Sequence, residues 1–367
     1  MKKIFILLIL TSLFSISIYG KGLFLNVGGK TFSKYHYNEL YFIHNEILLH
    51  TTAQKIKSLG KMKFKGNSAP FHHINKKGFA NYFTSRVMIY QSLRKLKISM
   101  KSFSSLLRFN IMKQRVTYYL QKRFLPTIKL SDEELDAYYQ KNKNHFNGIA
   151  VTDEVIEIIR QRIISEKFNK KVQEFVKENS LKYKKKKDWY FKVLTEKKYS
   201  KKTIYPGGFW LNQKEFLKMY YSAVSVQTGL SKKQILEKTK GTKDTSIHIK
   251  KFGDNLLNLC LLYKRSQKNL SYREKKNISE ITTYDIAYSW VINKKVLSRV
   301  TISNREILSI YKKLYPNDLP LKKKKRAFVM IAQRLHMLKV NQEIQKFLIK
   351  LKKGTVIKGK LLSSFSK

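Results

Sequence analysis

The chain has little cysteine, which limits how its fold can be stabilised. Cys260 is the single cysteine among 367 residues, so no disulfide can form within a monomer. Stability must therefore come from buried apolar side chains. Cys260 lies in the run NLLNLCLLYK, residues 255–264, whose composition is that of an apolar helix. We expect this cysteine to pack in the core and not to act as a catalytic thiol.

Acidic residues are also scarce. The 24 aspartates and glutamates stand against 76 lysines and arginines, which gives a formal net charge of +52. Such a charge favours anionic partners, whether nucleic acid, a membrane surface or acidic protein segments. Lysine supplies most of the charge, whereas proteins that read bases or clamp phosphates rely on arginine forks. We therefore predict no nucleic-acid partner and interpret the lysine blocks at 182–190 and 321–328 as solvated stretches.

Long apolar runs are confined to the N-terminus. Two lysines precede a continuous run of apolar and small residues from Ile4 to Ile18, and Gly20 follows. This order is typical of a secretory signal peptide, and the run is short for a membrane span. We expect residues 1–20 to be this signal, with cleavage after Gly20 and export of the rest. An uncleaved signal would instead anchor the protein in a membrane.

The sequence contains an internal repeat. Sliding it along itself by 172 residues places TIKLSDEELDAYYQK (127–141) on RVTISNREILSIYKK (299–313). Each stretch opens with a Ser-x-x-Glu capping box, in which serine and glutamate each satisfy the other's backbone amide at a helix start. The acids at 132–134 are explained by this helix start and not by acid–base catalysis. The candidate structural residues are Ser131, Glu134 and Tyr139 in the first copy, and Ser303, Glu306 and Tyr311 in the second.

The repeat predicts the organisation of the whole chain. The same offset places residues 160–178 on 332–350, and the stretch at 28–40 resembles that at 207–217 once a few residues are deleted. We predict a mainly α fold of two tandem helical modules, 22–180 and 203–360, joined by a basic linker at 181–202. Each module is expected to open with a short strand and a glycine turn and to end in a long helix. The second long helix, 325–350, carries an apolar stripe at Phe328, Ile331, Leu335, Leu338, Ile344 and Phe347.

The first module resembles a known family. The order of a signal peptide, LNVGGKTFSKYHYNEL, a helix with Phe103, Leu107 and Arg108, and then SDEELDAYYQKNKNHF is similar to the N-terminal chaperone region of the SurA family. These are periplasmic foldases related to parvulin prolyl isomerases. The resemblance implies a periplasmic, ATP-independent chaperone that holds unfolded outer-membrane or secreted clients between its helices.

The chain departs from that family where an isomerase domain is expected. Only residues 146–152 separate the capped helix from the long helix, which leaves no room for an inserted parvulin domain of roughly a hundred residues. An alternative places a degenerate parvulin at 182–254, with DWYFKVL (188–194) as its first strand. That segment lacks the histidine that lines a parvulin site. A prolyl isomerase therefore stays as the second hypothesis.

Other catalytic and metal-binding patterns are lacking. Five of the eight histidines fall between His36 and His73, but their spacing fits no ligand motif. We predict no catalytic residues, no metal and no cofactor. The function that the sequence favours is a non-catalytic holdase for unfolded polypeptides. A basic structural protein bound to an anionic membrane surface is the third hypothesis.

Overall fold

The structure is a computed structural model of the chain, and it describes residues 23–49, 76–143, 152–228, 232–239 and 243–359. The predicted signal peptide at 1–20 lies outside the described residues, as do His50, His72 and His73. The described residues form twelve α-helices: α1 Lys34–Leu49, α2 Lys76–Ser92, α3 Ser104–Phe124, α4 Asp132–Asn142, α5 Asp153–Lys182, α6 Lys184–Thr195, α7 Gln213–Thr228, α8 Lys232–Thr239, α9 Lys243–Asn269, α10 Tyr272–Lys295, α11 Asn304–Leu314 and α12 Leu321–Lys353. They also form five short strands: β1 Leu23–Val27, β2 Lys30–Ser33, β3 Thr203–Ile204, β4 Leu211–Asn212 and β5 Ile357–Gly359. The prediction of a mainly α fold is confirmed.

Two glycine pairs shape the strand hairpins. Gly28 and Gly29 have φ of 57° and 88°, and Gly207 and Gly208 have nearly the same values, 61° and 87°. Positive φ at consecutive residues is where glycine is favoured over any residue with a Cβ. The hairpins that the sequence placed around these glycines are therefore formed.

The hairpins and their following helices match without the deletion that we expected from sequence. At a constant offset of 179 residues, Ser33 and Asn212 accept from the backbone amides of His36 and Glu215 at 3.1 and 2.9 Å. Buried residues agree at the same offset: Phe32 with Leu211, Tyr37 with Phe216, and Leu40 with Met219.

A three-stranded sheet joins distant parts of the chain. Its strand order is β2-β1-β5, with every neighbouring pair antiparallel. Leu25 pairs with Phe32 on one side and with Gly359 on the other. The strand after the last long helix is thus held by the first hairpin. In the second hairpin, β3 pairs with β4 in a two-stranded sheet, and α6 packs beside both strands.

The hydrophobic core crosses the predicted boundary between modules. In the largest cluster of buried residues, Phe79 and Phe83 of α2 pack with Ile278, Ile281 and Tyr284 of α10. The ring centroids of Phe83 and Tyr284 are 5.7 Å apart in an edge-to-face arrangement. Burial of such aromatic side chains supplies much of the stability available to a chain without disulfides.

A second cluster includes the segment that was predicted as a linker. Val193 and Leu194 of α6 are fully buried beside Met112 of α3 and Cys260 of α9. The segment 181–202 therefore contributes to the core through a helix. The core role predicted for Cys260 is confirmed, and burial raises the pKa of its thiol to about 12. Its sulfur lies 3.8 Å from that of Met112.

Within the described ranges, no helix has both the length and the apolar composition needed to cross a bilayer.

Candidate functional site

Two helical hairpins carry the residues that the sequence singled out. The first arm consists of α4 and α5, and the second arm consists of α11 and α12. Each arm has a small core of its own. Leu135, Val155, Ile159 and Ile163 are buried in the first, and Tyr311, Ala327 and Ile331 in the second.

The capping boxes are formed in both arms. Ser131 accepts from the amide of Glu134 at 3.3 Å, and the glutamate accepts from the Ser131 amide at 3.1 Å. Ser303 and Glu306 make the same pair of bonds at 3.3 and 2.9 Å. These bonds satisfy backbone amides that have no partner within the helix.

A lysine from each long helix reinforces these caps. The Nζ of Lys167 lies 2.5 Å from Glu134 and donates to the carbonyl of Lys129 at 2.9 Å. Lys339 contacts Glu306 and the Thr301 carbonyl at 2.5 and 3.0 Å. All of these residues correspond at the offset of 172. The hydrogen bond from Lys339, followed by that from the Ser303 amide, lowers the pKa of Glu306 to about 2.

The two predicted tyrosines have different environments. Tyr311 is buried and donates from its hydroxyl to Asp318 at 2.5 Å, and the Leu319 amide donates to the same hydroxyl at 2.9 Å. This closes the loop between α11 and α12. Tyr139 is half-buried against the core of the first arm. The six predicted residues therefore contribute to the caps, the loop and the cores of the two arms.

The second arm exposes an apolar surface that sequence reasoning missed. Six large apolar side chains on α12 are more than half exposed: Leu321, Val329, Met330, Met337, Leu338 and Ile349. Met330 and Met337 lie two turns apart on one side of the helix, and Val329 and Leu338 flank that side. We call these four the apolar face. Leu338, which belongs to the apolar stripe named from the sequence, is 53% exposed. The short α11 begins opposite Lys339 and covers only part of α12. Helical periodicity alone does not reveal where a partner helix ends.

The first arm carries no such surface at the corresponding positions. At the offset of 172, the apolar face corresponds to Glu157, Ile158, Ser165 and Glu166. The repeat thus distinguishes residues needed for the shared architecture from residues peculiar to one arm. At three of the four positions the exposed apolar side chain is present in the second arm alone, which favours a role in contacts with a partner.

Positive charge borders the apolar face. Arg326 and Arg334 stand four residues before and after Met330, so all three lie along one side of α12. Both arginines are exposed. The counterpart of Arg326 in the first arm is Glu154. The surface of the second arm therefore combines adaptable apolar side chains with cations.

A separate apolar cavity of about 750 Å³ lies between α3, α7, α8 and α9. Phe109, Tyr220, Ile235 and Phe252 line it, and Lys251 is also part of its wall. Its volume is in the range that accommodates a small molecule or a few side chains of a bound peptide.

Two features bear on the isomerase and metal-site hypotheses. The segment 188–194, which the parvulin alternative requires as a strand, lies inside helix α6, so this part of the alternative is wrong. Among the residues that the structure describes, no group of three histidine, cysteine, aspartate or glutamate side chains could hold a metal ion. His36 instead hydrogen-bonds Glu280 at 2.9 Å.

The chain was compared with family models, with curated proteins and with solved structures, and none of them matches it.

Proposed function

We propose that the protein is an exported, ATP-independent chaperone that binds unfolded polypeptides without catalysis. The observation that carries the proposal is the apolar face of the second arm, where three of the four corresponding residues of the first arm are acidic or small and polar. Methionine suits such a role because its flexible, polarisable side chain adapts to different apolar partners.

The occupant that fits this face is an extended segment with both apolar and acidic residues. Met330 and Met337 lie two turns apart and would contact the apolar residues, while Arg326 and Arg334 would attract the acids. The net charge of +52 acts in the same direction over a longer range. The cavity lined by Phe109 and Phe252 offers a second apolar contact.

The resemblance to the SurA family supports a periplasmic location and clients among outer-membrane or secreted proteins. It rests on the strand and glycine turn, on the helix with Phe103, Leu107 and Arg108, and on the capped helix that begins at Ser131. An isomerase activity forms no part of the proposal, because the segment 188–194 is helical.

Suppression of aggregation tests the proposal. Light scattering of a diluted, unfolded outer-membrane protein should fall when the chain is present in equimolar amount. We expect the double variant Met330→Gln and Met337→Gln to lose most of this effect while its thermal unfolding stays unchanged, because both side chains are exposed. The matched control is Ser165→Gln, at the position of the first arm that corresponds to Met337. Equal protection by the double variant and the wild type would refute the assignment of the apolar face.

A further inference from the structure

A cleft of about 660 Å³ opens where the ends of three helices meet. One wall is the turn after α2, from Ser92 to Lys97. The end of α10 with Arg299 and the last part of α12 with Gly354 form the others. The cleft shares no residue with the apolar face of the second arm.

The lining of the cleft is apolar at its base and basic at its rim. The apolar residues include Leu96, Val296, Phe347 and Leu351. Six cationic side chains surround one carboxylate, that of Glu343: Lys95, Lys97, Lys295, Arg299, Lys346 and Lys350. The three helix C-termini contribute about half a negative charge each. Together with Glu343 they do not balance the six cations, so the net charge of the cleft is positive.

Most of these cations are not engaged by acids. Lys346 pairs with Glu343 at 2.7 Å, and Lys95 donates to the Gly354 carbonyl at 3.0 Å. Within the described part of the chain, no side-chain hydrogen bond or ion pair holds Lys97, Lys295, Arg299 or Lys350. Four cations are therefore available for an anion that enters the cleft.

Lys97 occupies a backbone position that favours glycine. Its φ is +55°, and it is the one non-glycine residue with positive φ among those described. The amides of Ile98 and Lys97 donate to the carbonyls of Leu93 and Arg94 at 2.9 and 3.1 Å. This is a Schellman ending, in which glycine usually takes the left-handed residue. A lysine here is strained, and its side chain lines the cleft.

The repeat provides an internal comparison. The position in the chain that is equivalent to the cleft is occupied by side chains. Phe347 corresponds to Phe175 at the offset of 172, and Lys295 corresponds to Arg123. The guanidinium carbons of Arg123 and Arg265 lie 5.1 and 5.3 Å from the Phe175 ring centroid and cover it. There α9 continues to Asn269, the counterpart of Lys97, whereas α2 ends at Ser92. The early end of α2 opens the cleft.

We propose that this cleft binds one anionic amphiphile, a molecule with a phosphate or carboxylate group on an apolar chain. The anion would lie among Lys97, Lys295 and Arg299, and the chain would pack on Phe347 and Leu351. This site is separate from polypeptide binding, and either activity can be lost while the other remains.

Calorimetric titration of the purified chain with octyl phosphate tests the proposal. We expect one molecule to bind per chain, and both inorganic phosphate and the uncharged octyl glucoside to bind at least about fivefold more weakly.

Lys97→Gly should lower the affinity for octyl phosphate about fivefold, as removal of one lysine beside a lipid anion does. The same variant should unfold at an equal or higher temperature, because glycine relieves the strain. Arg299→Gln should weaken binding similarly, and Lys170→Gln, which removes an exposed charge from the first arm, should not.

Vesicles distinguish a membrane lipid from a free amphiphile. Sedimentation with phosphatidylcholine vesicles that contain some phosphatidylglycerol should depend on Lys97 and Arg299 if the ligand is a lipid in a bilayer. Sedimentation unaffected by either variant, together with weakened binding of octyl phosphate, would assign the cleft to a free amphiphile. Equal octyl phosphate affinity for wild type, Lys97→Gly and Lys170→Gln would overturn the proposal.

Discussion

Glu280 is the carboxylate at the centre of a small buried network between α10 and the first hairpin. It hydrogen-bonds His36 and Tyr284 at 2.9 and 2.7 Å, and Lys30 lies 3.2 Å away. Burial alone would raise the pKa of Glu280, but the bonds from His36 and Tyr284 and the charge of Lys30 outweigh it. The pKa falls from its usual 4.5 to about 2.

This low pKa predicts how stability depends on pH. The folded state holds the proton of Glu280 less tightly than the unfolded state does, so the stabilisation is complete above pH 4.5 and is lost as pH falls towards 2. Glu280→Gln should lower the free energy of unfolding by about 3 kcal/mol at neutral pH and by much less near pH 2. Urea unfolding followed across this pH range measures the effect. Glu178→Gln, an exposed change on α5, is the control, and an equal loss there would contradict the role of the network.

Gly207 makes a close backbone contact that its neighbour does not. A Cβ at Gly207 would lie 1.6 Å from the Cys260 carbonyl oxygen, whereas one at Gly208 would have the Tyr205 hydroxyl, 3.9 Å away, as its nearest contact. Both glycines have positive φ, so alanine is strained at either position. We expect Gly208→Ala to cost about 1 kcal/mol and Gly207→Ala about 3 kcal/mol or more, because only the latter separates the hairpin from α9. Thermal unfolding of the two variants tests this, and similar losses would show that the contact does not matter.

The helix starts show which elements the sequence specifies locally. The starts of α4 and α11 were predicted from their Ser-x-x-Glu boxes, and the structure begins each helix one residue after the serine. The same motif at Ser271 and Glu274 starts α10 with bonds of 3.2 and 2.8 Å, and sequence reasoning missed it. Its counterpart in the first module, Ser99, is followed three residues later by a serine, and a 3-10 turn stands there instead of a capping box. The internal repeat therefore could not identify the capping box at Ser271.

The duplicated caps predict equal local effects. Ser131→Ala and Ser303→Ala should each cost about 1 kcal/mol, because each leaves a first-turn amide without its partner. Amide hydrogen exchange should accelerate in the first turn of α4 or α11 and remain slow in α10. Ser165→Ala within α5 should leave exchange at both caps unchanged. A change that spread evenly over both arms would contradict a local capping role.

Helix α6 shows why other elements were not predicted. Four consecutive lysines, 184–187, open this helix, and their charge led to the interpretation of a solvated linker. Val193 and Leu194 are nevertheless fully buried, because β3, β4 and α9 lie beside them. The apolar face of the second arm was hidden for the opposite reason, since Leu338 belongs to a regular apolar stripe but its side chain is 53% exposed. In both cases the deciding factor is a distant neighbour, which local patterns do not contain.

At the scale of the whole molecule, the two halves share their cores. Ile278, Ile281 and Tyr284 from the second predicted module complete the cluster around Phe79 and Phe83 of the first. The division at 22–180 and 203–360 stays a prediction about sequence duplication, and the packing makes a prediction about folding. Residues 22–180 alone should expose this cluster and fold incompletely, with weak near-ultraviolet circular dichroism.

Coexpression provides the complementary test. Residues 22–180 and 181–367 produced together should form a one-to-one complex with the spectrum of the intact chain, because β5 and α10 can then reach their partners. A fragment 22–180 that unfolds cooperatively by itself, with slow amide exchange in α2, would show that the first module is an independent folding unit.

The pairing of β1 with β5 determines when the three-stranded sheet can form during synthesis. Residues 23–27 are made before residues 357–359, with which they pair. A chain that emerges with its N-terminus first, from a ribosome or through a translocation pore, cannot complete this sheet until more than three hundred further residues have followed. One edge of β1 lacks its final partner throughout that interval. Completion of the sheet must therefore wait until residues 357–359 have emerged, so the first hairpin reaches its final pairing late in synthesis or transport.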